Sequence, residues 1–116
     1  MNDKKMFHED TIIYSRSLEL METARELIGQ FPRGFGFLAD QLRRNTSSVS
    51  HNYAEGYYQR SKAQRRKYLE YASQSAREAS ASFDVARCFR VGKQETIVRG
   101  KRLCLELVKM IAGFGR

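Results

Sequence analysis

Residues 61–90 read SKAQRRKYLEYASQSAREASASFDVARCFR, and the spacing inside this stretch decides the fold. Leu69, Ala72, Ala76, Ala79, Phe83 and Ala86 recur at alternating steps of three and four, the heptad signature of a helix that lays one stripe along a neighbour. Most of the stripe is alanine, so that neighbour can approach closely. Ser61 with Gln64 three residues later has the form of a capping box, and Val91-Gly92 supplies the stop. The stretch predicts a helix over about residues 61–90.

Outward from it, the same period recurs. Downstream, Ile97, Cys104, Leu107, Val108 and Ile111 form one face of a helix over about 95–112, with Gly113 as its stop. Upstream, Leu38, Leu42, Val49 and Tyr53 line a helix over about 37–55, with Asn45 or Thr46 filling the middle and Gly56 closing it. That face is crowded by Arg43, Arg44, Ser47, Ser48, His51, Asn52 and Glu55. The first helix, about 11–29, starts at Asp10 or Thr11 and carries two adjoining stripes: Tyr14, Leu18, Met21 and Ile28, then Leu20, Ala24, Leu27 and Phe31. Gly29 and Pro32 end it. Four long helices with short connections predict an all-α, up-down antiparallel four-helix bundle in one domain, residues 1–116. A stripe broader than one seam on the first helix points to self-assembly.

Composition bounds the rest. One proline and no alternating Val/Ile/Thr runs in 116 residues exclude a β architecture. Cys88 and Cys104 have no CxxC spacing and read as small buried groups in a reducing compartment. No apolar run is long enough to span a bilayer, and Met1–Asp10 carries charges of both signs without an apolar signal core. A cytoplasmic protein without membrane contact is the expectation.

Catalytic patterns are absent. A di-iron bundle needs Glu-x-x-His on two helices, and His51 with Glu55 is at most half a site, so no metal and no cofactor are expected. Ser48 and His51, one turn apart, lack an orienting acid and an oxyanion hole. Gly34 and Gly36 lack the strand that a phosphate loop requires.

Charge carries more information. The formal net charge is +8, made of −2 over residues 1–40 and +10 over residues 41–116, an imbalance that attracts polyanions. Arg60, Lys62, Arg65, Arg66 and Lys67 stand together without an acid and are interleaved with Tyr57, Tyr58 and Tyr68. Cations neutralise phosphates, and exposed tyrosine rings stack on unpaired bases. In an up-down bundle the turns joining helices 1–2 and 3–4 share one end, where Arg33, Arg87, Arg90, Lys93, Arg99, Lys101 and Arg102 converge, with Glu95 the main offset. The two clusters would lie roughly 30–40 Å apart at about 1.5 Å per residue.

Phe31-Pro32, Gln41-Leu42-Arg43-Arg44, Ser48-Val49 and Asn52-Tyr53-Ala54-Glu55-Gly56 together resemble the bacterial four-helix bundle proteins. These are also called ribosomal-RNA intervening-sequence proteins, after reading frames in insertions of large-subunit rRNA genes. Ala72-Ser73-Gln74-Ser75-Ala76-Arg77-Glu78 is similar to the family's Ala-x-Gly-Ser-x-x-Glu pattern, from which Ser73-Gln74 departs. The resemblance covers about residues 12–112. It implies a ring-shaped homo-oligomer, commonly a pentamer. It also implies kinship to the accessory variability proteins of diversity-generating retroelements, which associate with a reverse transcriptase and with nucleic acid.

The matching residues also admit a structural role: Arg43 or Arg44 buried against Glu55 or Glu78, with Asn52 and Ser75 completing the network. Three functions stay open. They are a non-enzymatic accessory protein that binds RNA or DNA, a protein-interaction scaffold, and a binder of small ligands in the bundle core.

Overall fold

The computed structural model describes residues 6–114. A short 3-10 turn, Phe7–Asp10, precedes four helices: α1 (Ile12–Ile28), α2 (Gly36–Tyr57), α3 (Lys62–Phe89) and α4 (Gln94–Phe114). Each helix packs on its chain neighbours and α1 closes the square against α4, which makes an all-α, up-down four-helix bundle 44 Å long. Residues 1–5, half of the Met1–Asp10 stretch read above, lie outside the described residues, as do residues 115–116. No helix among the described residues is long and apolar enough to cross a membrane.

The helix ends follow local chemistry. Thr11 caps α1 by accepting from the Tyr14 N–H, and its hydroxyl also donates to the His8 carbonyl and accepts from the Tyr53 hydroxyl. Ser61 caps α3 by accepting from the Gln64 N–H, which is half of the expected capping box. The stop of α3 differs from expectation. Arg90 itself turns left-handed, at φ 58°, and Gly92 follows at φ 83°. The carbonyl of Ala86 accepts from both Arg90 and Val91, so left-handed Arg90 satisfies helix carbonyls that would otherwise be orphaned. Neither Gly56 nor Gly113 ends its helix: α2 runs on to Tyr57 and α4 to Phe114.

The expected α3 seam is the core. Leu69, Ala72, Ala76, Ala79, Phe83 and Ala86 are all buried, facing Leu20, Leu27, Leu38, Leu42, Val49, Tyr53, Ile97 and Leu107. Small residues set the interhelical distances. A Cβ on Gly56 of α2 would stand 3.2 Å from the Cβ of Tyr68 on α3. One on Gly100 of α4 would stand 2.3 Å from the ring of Phe83.

The loops joining α1–α2 and α3–α4 do share one end. The Gln30 side chain accepts from the Lys93 N–H at 2.7 Å and donates to Thr96 Oγ1 at 3.1 Å. At the other end Phe114 packs on Tyr53 and Tyr57.

Two expectations about single residues are corrected. Cys104 is buried, but Cys88 is exposed, because it lies off the α3 seam in the last turn. Arg43, Arg44, Glu55 and Glu78 are all exposed in the protomer. Arg43 pairs with Asp40 at 3.2 Å, while Glu55 and Glu78 accept from Gln59 and Gln74 on their own helices. Among the described residues the acids of these helices closest to the seam, Glu55 and Glu78, face solvent, so an arginine buried there would carry a desolvation penalty of several kcal/mol unmatched by a partner. What does cross that seam is neutral. Ser75 donates to Ser48 Oγ at 2.8 Å, and Asn52 donates to the same oxygen at 2.9 Å. Of the two first-helix stripes, Leu20, Ala24 and Leu27 make the core, while Leu18 of the other is exposed.

Candidate functional site

The cluster at the α2–α3 end is built by a short turn and the first two turns of α3. Helix α2 finishes at Tyr57 and Ser61 caps the next helix, so Arg60, Lys62, Arg66 and Lys67 are displayed over a short span and all are exposed. None of them makes an ion pair among the described residues. The acids nearest in sequence are engaged elsewhere: Glu55 Oε1 accepts from Gln59 at 3.2 Å, and Glu70 pairs with Arg77 at 3.8 Å. Lys67 Nζ lies 5.8 Å from the centre of the Tyr68 ring, a cation–π contact that holds it beside the other cations.

Arg65 differs from its neighbours. It is half-buried, its Nη2 donates to the Gln59 carbonyl at 3.4 Å, and its Nε is buried with no partner among the described residues. It braces the turn while its neighbours remain free.

The tyrosines expected as stacking platforms here are largely occupied. Tyr57 is half-buried and stacks on Phe114 with an interplanar angle of 15°. Tyr58 accepts from the His8 N–H at 3.2 Å, and its hydroxyl lies 3.0 Å from His8 Nδ1. The segment before α1 folds back over this end, a contact that no periodicity signals, and His8 takes part of the ring surface that the tyrosines would have offered. Tyr57 is therefore a packing residue, and Tyr58 remains 42% exposed. Tyr71, one turn beyond Lys67, is 43% exposed and packs edge-on against Tyr68.

The second expected cluster divides. Arg99 Nη1 donates to Glu26 of α1 at 2.7 Å. This hydrogen bond and the charge behind it hold the Glu26 carboxyl below its ordinary range and the Arg99 guanidinium above its own. Lys101 pairs with Asp84 of α3, and Arg87 meets the same carboxylate at 3.8 Å. Arg16 of α1 reaches Glu106 of α4 at 3.4 Å. The acidic first helix thus lies against the basic fourth one. The groove between them, about 950 Å³, is lined by both signs: Glu19, Glu22 and Glu26 against Arg25, Lys93, Arg99 and Arg102. A polyanion would meet α1's carboxylates there. Arg33, Arg87, Arg90, Lys93 and Arg102 remain exposed, but only at the loops do they stand clear of α1.

That end also holds aromatic residues that the charge reading passed over. Phe35 packs against Phe31, Phe37 and Phe89 with ring centres 6.3, 5.9 and 5.6 Å away, and Phe37 and Phe89 are 52% and 60% exposed. Their signal was legible. Phe89 falls off the heptad seam that ends at Ala86, and Phe37 sits in the first turn of a helix whose inward face starts at Leu38.

No group of three or more His, Cys, Asp or Glu side chains among the described residues is placed to hold a metal ion. Burial pushes the Cys104 thiol up to about 12, so it is not a nucleophile at neutral pH.

A sequence model described as 23S rRNA-intervening sequence protein matches residues 9–113 of the chain. No curated protein matches it.

Proposed function

Because the chain belongs to the 23S rRNA-intervening sequence protein family, we propose that it is a non-enzymatic accessory protein that binds nucleic acid through the cationic end where α2 meets α3. The observation that carries this reading is the contiguous set Arg60, Lys62, Arg66 and Lys67, exposed and free of ion pairs among the described residues, while Arg99 and Lys101 of α4 are drawn into pairs with Glu26 and Asp84. Unpaired surface cations neutralise phosphates and release counterions, which gives affinity without sequence preference. Phosphate contacts carry no sequence information, so binding of this kind rests on the backbone of RNA or DNA. A filter-binding titration of wild type and the Arg60/Lys62/Arg66/Lys67→Gln variant against RNA and DNA, repeated across salt, tests it. The reading expects tight low-salt binding that the variant loses.

A second reading, a ring-forming scaffold, has its own support in the exposed apolar side chains Leu18 of α1 and Val98 and Leu105 of α4, which are 41%, 51% and 56% exposed. We propose that these faces join copies into a homo-oligomer, a pentamer by the earlier resemblance. Such a ring would repeat the cationic end around its rim and match an extended polyanion, with a reverse transcriptase as the protein partner that the resemblance suggests. Sedimentation of a monomer at micromolar concentration would end the assembly proposal without touching the binding one.

A further inference from the structure

We infer that the opposite end of the bundle, where α1–α2 and α3–α4 turn, is an aromatic platform that stacks on unpaired bases, so that the nucleic acid bound is single-stranded. This inference rests on the proposed nucleic-acid function and adds the substrate class. Phe37 and Phe89 expose 52% and 60% of their surface, and Phe35 stands between them. A phenylalanine has no polar atom to reward contact with water, so two exposed rings flanking Phe35 on one surface are poised for flat apolar ligands. The rings ride on the first turn of α2 and the last residue of α3, both rigidly placed in the bundle, so little ordering is needed when a ligand arrives.

The rim chooses the ligand. Arg33 and Arg90 are exposed and make no ion pair among the described residues, and Arg87 is held by Asp84 only at 3.8 Å. Arg90 occupies a left-handed conformation at φ 58°, a position that favours glycine, so an arginine there carries a backbone cost. Apolar rings ringed by guanidinium groups complement a strand whose bases are apolar plates and whose backbone is anionic. A duplex offers the phosphates but hides the base faces in its stack. A phenylalanine ring carries no donor or acceptor to read a base edge, so the platform distinguishes single from double strands and not one sequence from another.

The chain has no tryptophan, which makes the test direct. Phe89→Trp and Phe37→Trp each introduce one reporter at an exposed site, with circular dichroism checking the fold. A 20-nucleotide oligo(U) is expected to quench the new fluorescence, while a blunt RNA duplex of equal phosphate count leaves it unquenched. Phe37→Leu with Phe89→Leu should weaken oligo(U) binding by about tenfold to a hundredfold and leave duplex binding unchanged. Unquenched fluorescence while oligo(U) is retained on a filter overturns the platform and leaves the cationic reading standing. So does equal weakening of single strand and duplex, or a blue shift on anionic vesicles without quenching by oligo(U), which would assign the rings to a membrane surface. Changed sedimentation of the leucine variant with unchanged oligo(U) affinity would overturn it too, assigning the rings to a contact between copies. Absence of binding to either nucleic acid by wild type at low salt overturns both proposals.

Discussion

Gly100 shows how one missing methyl group organises this bundle. The Phe83 ring fills the space where a Cβ would stand, 2.3 Å away, so an alanine there must displace a fully buried aromatic. Gly→Ala in a helix ordinarily gains about 1 kcal/mol, whereas overpacking costs about 1–3 kcal/mol. Gly100→Ala is therefore expected to lower the melting temperature. Gly113→Ala, with nothing within 4 Å of the added Cβ, should raise it or leave it unchanged. Phe83→Leu in the Gly100→Ala background should recover part of the loss. The cysteines give a second contrast. Cys104 is buried with its thiol pushed up to about 12, and Cys88 is exposed. Maleimide at pH 8 is expected to label Cys88 and spare Cys104 until the protein is denatured, and two labels on the native protein would contradict the packing. The burial of Cys104 was legible from its helical period. The exposure of Cys88 could have been read too, since Phe83 and Ala86 already fix the seam two residues before it. The Phe83–Gly100 contact was not legible, because periodicity identifies a face and not the residue across from it.

At the scale of elements, the helices were readable and their ends less so. The period of α3 marked its six apolar seam residues but not the buried Ser73 and Ser82, and Ser61 and Thr11 signalled their caps. Arg90 broke the glycine rule for a left-handed stop because Gly92 stood close enough to look like the terminator. A left-handed conformation costs a non-glycine residue roughly 1–2 kcal/mol, so Arg90→Gly is expected to raise stability by about 1 kcal/mol. If the platform at this end binds as argued, the same change weakens nucleic-acid affinity, and one variant then separates stability from function. Pairing between helices was the harder inference. That α1 is acidic is plain in the sequence, but its facing α4 and neutralising Arg99 appears only when the bundle closes. Glu26 is held below its ordinary value near 4.5 by Arg99, so the pair contributes stability above that pH and loses it as pH falls through the native carboxyl's lower value. Glu26→Gln should therefore lower the melting temperature modestly at pH 7. The gap to wild type should close toward acid and shrink with added salt, since both side chains are partly exposed.

For the whole molecule, the bundle converts an uneven linear charge into an uneven surface. Counting along the chain assigns +10 to residues 41–116, as though three helices were uniformly basic. In three dimensions Glu26 of α1 and Asp84 of α3 absorb Arg99 and Lys101 of α4, and the longest contiguous run of cations outside ion pairs among the described residues is at the α2–α3 end. The α2–α3 cluster was legible because it is contiguous and contains no acid. The division of the other cluster was not, because ion pairs between α1 and α4 span more than seventy residues. The tyrosine end and the phenylalanine end differ for a physical reason: His8, before α1, packs on Tyr57 and Tyr58, whereas Phe37 and Phe89 keep 52% and 60% of their surface exposed. If the cationic end where α2 meets α3 grips phosphates, binding must depend on salt. Log affinity for single-stranded RNA should fall linearly with log salt, at about 0.7 per phosphate neutralised. Arg60/Lys62/Arg66/Lys67→Gln should reduce that slope by up to about 3 if all four cations contact phosphates, with the melting temperature little changed because those side chains are exposed. An unaltered slope in this variant, or no affinity of wild type for RNA or DNA at low salt, would contradict the account.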